Sequence, residues 1–196
     1  MSPQLYLASR SPRRQELLRQ VGLRFEIVAA AVDERRSAGQ SPADYALAMA
    51  LAKARAGLRA VRPPATQPVL GADTDVVIDG EILGKPADRA HALDMLRRLA
   101  GRTHEVYSGV AVVQDGRAAT ALSVTRVSFG PITAAQAEGY WDSGEPAGKA
   151  GAYAIQGRGA QFVREIHGSY SGVVGLPLFE TLGLLRGFGV APGAGA

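Results

Sequence analysis

Val69-Leu70-Gly71-Ala72-Asp73-Thr74 is an apolar run that closes on an acid, and Val76-Val77-Ile78, Asp79-Gly80 and Ile82-Leu83 follow it directly. The first run has the length and composition of a strand. The second reads as a hairpin, because Asp-Gly between apolar segments adopts a primed turn whose twist matches the strands it joins. A longer hairpin is expected over residues 106–113 and 118–129, around Asp115-Gly116. Short strands are expected at 4–8, 25–28 and 161–166. Helices interrupt them. Ser41 caps one at Pro42, which runs to about residue 61 and ends at Pro63-Pro64. Its expected inner face is Tyr45, Ala48, Leu51, Ala52 and Leu58. Asp88 caps a helix through residue 100, Thr133 caps one to residue 141, and Leu176-Pro177-Leu178 opens the last, to residue 186. Strands, hairpins and helices in this order predict an α/β fold with a mixed central sheet and flanking helices.

Composition narrows the function. Hydrophobic residues make up 46% of the 196, enough for one sizeable core, and no apolar run reaches the roughly 18 residues that span a bilayer. No basic segment precedes a long apolar stretch at the N-terminus, so no secretory signal is read there. Cysteine is absent, which excludes thiolate chemistry, and the cytoplasm is the default compartment. The net charge of +4 favours anionic partners. Nucleic acid is not among them, because the basic residues are scattered and aromatics are only 6%. His91, His104 and His167 lie too far apart for zinc spacing. One domain is expected over residues 1–188, with a disordered, Pro/Gly-rich tail over 189–196.

Ser11-Pro12-Arg13-Arg14 marks the start of another helix, with Leu17, Leu18 and Val21 at helical spacing and Gly22 as the stop. Two arginines in a first turn oppose the helix dipole. The placement makes sense where an anion docks against free N–H groups and two guanidinium forks; otherwise these are two solvated arginines. Asp73, leaving a strand beside Gly71, is a common position for a catalytic or metal-binding acid, or for an acid capping the next turn. Gly84-Lys85-Pro86 holds a lysine on stiff backbone, which could equally be a solvated loop residue, and Lys53 lies on the second helix, where a surface role is the default. The glycines of the 143–159 stretch, Gly148, Gly151, Gly157 and Gly159, are read as permitting turns.

Phosphate-loop, nucleophile-elbow and zinc-protease motifs are missing. What remains is two arginines, two lysines and one or two carboxylates. That inventory suits phosphate-ester or phosphoanhydride cleavage, in which cations stabilise phosphate charge and an acid orients or deprotonates water.

Five motifs then occur in order: Leu7-Ala8-Ser9-Arg10-Ser11-Pro12-Arg13-Arg14, Gly71-Ala72-Asp73-Thr74, Leu83-Gly84-Lys85-Pro86, Met95-Leu96-Arg97-Arg98-Leu99-Ala100-Gly101, and the long run from Glu145 to Gly157 that continues at Val174-Gly175-Leu176-Pro177-Leu178. With them the chain resembles the Maf family of nucleoside triphosphate pyrophosphatases. The resemblance implies a house-cleaning hydrolase that releases pyrophosphate from a nucleoside triphosphate with a divalent cation (magnesium, manganese or cobalt). It implies two lobes around a deep cleft, similar to inosine triphosphate pyrophosphatases, and a homodimer. By motif it implies phosphate binding at Ser9, Arg13, Arg14, Lys53 and Lys85, a proton acceptor at Asp73, and an activity or metal role for Glu34. Ala152-Tyr153-Ala154-Ile155-Gln156-Gly157 resembles the dTTP/UTP subgroup rather than the 7-methyl-GTP subgroup, with Arg13, Thr74 and Gln156 as distinguishing positions. A regulatory nucleotide-binding module linked to division control is the other role the family implies. Asp75 departs from the apolar residue of many relatives. It adds a carboxylate beside Asp73 that could bind metal, raise its neighbour's pKa, or face solvent.

Overall fold

The computed structural model describes residues 2–61 and 66–192. The expected stop at Pro63-Pro64 and the last four residues lie outside them. Seven strands form one mixed sheet: β1 (Leu5–Leu7), β2 (Phe25–Ile27), β3 (Val69–Ile78), β4 (Glu81–Leu83), β5 (Thr103–Gln114), β6 (Arg117–Phe129) and β7 (Val163–His167). Their order is β2-β1-β3-β5-β6-β7, with β4 also on β3. β1 runs parallel to β2 and β3, and the remaining pairs are antiparallel. Both hairpins turn as their Asp-Gly pairs dictate: Asp79, Gly80, Asp115 and Gly116 all have positive φ.

Among the described residues six α-helices flank the sheet: α1 (Pro12–Gln20), α2 (Pro42–Ala60), α3 (Arg89–Leu99), α4 (Ala134–Asp142), α5 (Tyr170–Val174) and α6 (Leu178–Gly187). Ser41, Asp88 and Thr133 cap their helices through the side chain, Thr133 with Gln136 in a capping box. Ser11 stands at the N-cap of α1, but its side chain accepts no helix N–H. The larger core, on the face away from α2, joins Leu17, Leu18, Leu70, Leu96, Leu99, Val110, Leu176 and Leu185.

α2 lies against the other face, and its inner stripe differs from the expected one. Ala46, Ala50, Ala54 and Gly57 are buried, while Ala48 is exposed. The reason is close approach. A Cβ on Gly71 would collide with Ala50 O and Ala54 N, and one on Gly109 would collide with Ala46 O. Small residues on both sides let helix backbone rest on strand backbone, and the larger Leu51 and Leu58 pack at its edge. The chain also stays packed beyond residue 188. Val190 is 6% exposed in the main core and its N–H bonds Leu185 O, so it is no part of a disordered tail.

Candidate active site

β3 continues as one strand through Asp73 to Ile78, so the acid sits in mid-strand and not at a strand end. On one side β3 pairs with β5 from Val69 to Val77. On the other it pairs with β1 at Val69 and Leu70, and with β4 from Val76 to Ile78. Residues 71–75 therefore have no strand neighbour on that edge among the described residues. β1 leaves the sheet there and feeds the Ser9–Arg14 turn. A cleft of about 1260 Å³ opens at this fork.

Pleat alternation sends Asp73 and Asp75 toward α2 and Thr74 toward α1 and α5. On the α2 side, Lys53 Nζ donates to Asp73 Oδ1 at 2.6 Å and lies 2.7 Å from Glu34 Oε1. The Lys53 and Asp73 side chains are 14% and 13% exposed, and Glu34 is 51% exposed. The hydrogen bond from Lys53 holds Glu34 below its ordinary pKa. Glu34 comes from the irregular stretch after β2, and Tyr45 Oη anchors that stretch by donating to its carbonyl at 2.6 Å. Asp75 does not face solvent: it is 8% exposed, with Oδ2 buried and unpartnered. Burial, then the nearby charge of Asp73, push Asp75 up to about 8.

On the other side, Arg14 is clamped. Its Nε donates to Gly175 O at 2.8 Å, and its two terminal nitrogens donate to Ser9 Oγ at 3.2 Å and Thr74 Oγ1 at 3.4 Å. Ser9 Oγ also accepts the Ser11 N–H, and Thr74 donates to Gly175 O. Gly175 has φ 137°, a conformation that suits glycine and aims its carbonyl at both donors. Arg13 is different. Burial lowers its pKa, and its buried Nε has no hydrogen-bond partner among the described residues.

Lys85 and Gln156 complete the wall, both exposed into the same cleft. Gly151 N–H binds Gly84 O at 3.1 Å and ties the Lys85 turn to the segment that carries Gln156. Every candidate site residue expected from the sequence, from Ser9 to Gln156, thus lines one cavity. Sequence reasoning missed Lys149, which lines it near Arg13 and is lowered by desolvation and then by that charge. It also missed Tyr45, Gly175 and Ser108, whose hydroxyl supports the wall from behind, donating to Gly172 O at 2.7 Å and lying 3.2 Å from Thr74 Oγ1. Lys149 and Gly175 sit inside the quoted motifs, so the signal was present; Tyr45 and Ser108 gave none.

The Maf-like protein family profile matches residues 4–188. The chain is 52% identical to a protein of Alkalilimnicola ehrlichii named dTTP/UTP pyrophosphatase, over 95% of this chain and 93% of that one. It is 53% identical to the Salmonella typhimurium protein of the same name (94% and 92% covered) and 54% identical to that of Burkholderia pseudomallei (96% and 95%). A solved structure, the Staphylococcus aureus Ham1 protein, aligns with a TM-score of 0.44 and 12% identity over 64% of this chain and 71% of that one, too slight a likeness to bear on the fold. With the family profile spanning nearly its whole length and relatives half identical to it, the chain belongs to the Maf-like protein family.

Proposed function

We propose that this chain hydrolyses dTTP and UTP to the nucleoside monophosphate and pyrophosphate, working in the cytoplasm. The observation that carries the reading is that four cations and an acid, remote in sequence, line one cleft. Names borne by half-identical relatives support the substrate. Arg13, Arg14, Lys53 and Lys85 answer the charge of a triphosphate, and the uncapped first turn of α1 offers its N–H groups to the same anion. Water oxygen bonds to the α-phosphorus, the bond from that phosphorus to the bridging oxygen breaks, and pyrophosphate departs. Asp73, oriented by Lys53, takes the proton of the water. Gln156 offers an amide donor and acceptor to the matching edge of uracil or thymine.

A divalent cation (magnesium, manganese or cobalt) fits the donors present. Such ions are held by one or two carboxylates together with substrate phosphates. Glu34 and Asp73 are such a pair, joined through Lys53, and no cluster of three or more His, Cys, Asp or Glu suited to an ion occurs among the described residues. These two side chains would hold the ion jointly with the triphosphate, where it supplies charge neutralisation at phosphate oxygens.

The test is pyrophosphate release from a panel of nucleotides with each of the three metals. Highest kcat/KM on dTTP and UTP is expected. Preference for 7-methyl-GTP would overturn the base assignment, and binding without turnover across the panel would overturn the enzyme.

A further inference from the structure

The Gln156 side chain is exposed in the cleft with no hydrogen-bond partner among the described residues, and an amide recognises a base only if it points one way. Flipped, it exchanges donor and acceptor and matches cytosine in place of uracil. The loop bearing it is held at both feet by two side chains that serve no phosphate-binding role. Glu145 Oε2 accepts the Arg158 N–H at 2.8 Å, and Oε1 accepts the Gly159 N–H at 3.0 Å. Tyr140 Oη donates to Glu145 Oε1 at 2.6 Å and accepts the Ala154 N–H at 3.0 Å. The clasp thus grips residues 154, 158 and 159, with Gln156 between them.

The glycines fit the clasp rather than a turn. Gly157 has φ −115°, within reach of any residue, but a Cβ there would collide with the Glu145 carboxylate. A Cβ on Gly159 would lie 2.6 Å from Tyr140 Oη. Gly157 and Gly159 are therefore needed for space alone, whereas Gly148 and Gly151 have positive φ, and Gly151 also abuts Val76. Glu145 is held below its ordinary pKa. Burial opposes this, but the Tyr140 hydroxyl and the two backbone N–H groups outweigh it. A carboxylate can thus line a cleft meant for a triphosphate with its oxygens already occupied.

We infer that Glu145 and Tyr140 are positioning residues for pyrimidine selectivity, acting through the loop that presents Gln156. The inference rests on the reading of Gln156 as the base-recognising group. Tyr140 is itself packed in the core against Phe162, so Tyr140→Phe keeps the ring and removes only the hydroxyl.

The experiment compares wild type, Tyr140→Phe, Glu145→Gln and Gln156→Ala. For each, kcat/KM is measured on UTP and CTP, together with the inhibition constant of inorganic tripolyphosphate, a probe with no base. Loss of both hydroxyl hydrogen bonds, the one to the Glu145 carboxylate and the one from Ala154 N–H, is expected to lower the UTP-to-CTP ratio about tenfold in Tyr140→Phe, chiefly through KM. Tripolyphosphate should inhibit as it does the wild type. An unchanged ratio in Tyr140→Phe, where Gln156→Ala collapses it, overturns the inference and leaves the Gln156 reading standing. An unchanged ratio in Gln156→Ala overturns both. A parallel loss of UTP, CTP and tripolyphosphate affinity reduces the clasp to a structural staple and overturns it too. Should Glu145→Gln fail to fold, Tyr140→Phe alone decides.

Discussion

Lys53 Nζ lies 2.6 Å from Asp73 Oδ1, and a helix and a strand twenty residues apart in sequence are packed backbone to backbone to hold that distance. Lys53 also pairs with Glu34 at 2.7 Å. It thus keeps two carboxylates close at a site that must also accept a polyanion. Replacing Asp73 by Asn keeps the shape and most of the packing, so the fold should survive while kcat drops about 10²–10⁴-fold, the usual worth of a positioned acid–base group. Steady-state pyrophosphate release and a thermal melt check this together. Near wild-type turnover would remove Asp73 from the role of proton acceptor.

Glu34 separates function from stability. Its side chain is half exposed, so its ion pair with Lys53 is worth little, below about 1 kcal/mol. Glu34→Gln should therefore melt within a few degrees of wild type. Its activity should fall at least tenfold, with the apparent metal affinity falling alongside. A variant with normal activity at every metal concentration would end the role given to Glu34.

Gly71→Ala tests the packing that sets the pair. The added methyl meets Ala50 O and Ala54 N, which belong to helix backbone and cannot swing aside. α2 must then lift from β3, at a cost of about 1–3 kcal/mol or more, and Lys53 must withdraw from Asp73. Urea unfolding should show the destabilisation and steady-state assays a larger loss of kcat than of binding. Wild-type stability would mean that the helix does not press on the strand as described.

Much of this arrangement could be read from the chain, for identifiable reasons. Caps and primed turns are local, so Ser41, Asp88, Thr133 and both Asp-Gly pairs announced themselves. Asp73 was placed at a strand end because a charged residue normally terminates a buried run. It sits in mid-strand because the gap between β1 and β4 exposes one edge of β3, and that gap depends on pairings remote in sequence. The expected inner face of α2 holds at Tyr45 and shifts elsewhere, because hydrophobicity points to Leu51 and Leu58, which are only partly buried. The helix packs instead through Ala46, Ala50 and Ala54, whose virtue is small size against Gly71 and Gly109. Glu145 and Tyr140 carried no signal of their clasp, since they stand five positions apart and their backbone targets lie up to fourteen positions further on.

His104 predicts an acid limit. It is buried on β5 against the rings of Phe129 and Tyr153, its Nε2 is 2.8 Å from Tyr153 Oη and its Nδ1 has no partner among the described residues. Desolvation lowers it to about 4. In the unfolded chain a histidine titrates near 6.5. Between those values the unfolded state binds one proton more, so stability is full above about pH 6.5 and is lost as pH falls toward 4. His104→Gln, which can still meet Tyr153, should flatten that slope in urea titrations across the window. Parallel curves for variant and wild type would show that His104 is not buried neutral.

Arg13 offers the sharpest contrast between stability and function. Its guanidinium loses hydration, stands in the positive first turn of α1, and has no partner recorded for its buried Nε. Each of these penalises the ligand-free protein. Arg13→Met keeps the length of the side chain and removes the charge. The free variant should therefore be as stable as wild type or more so, by about 0.5–1 kcal/mol. Tripolyphosphate tells the other half. In wild type it supplies the missing partner, so it should raise the melting temperature as a ligand bound only by the folded state does. In Arg13→Met that increment should shrink sharply, and KM for UTP should rise at least tenfold. A variant that loses stability without ligand and still gains the full increment with it would show that Arg13 supports the fold rather than the anion.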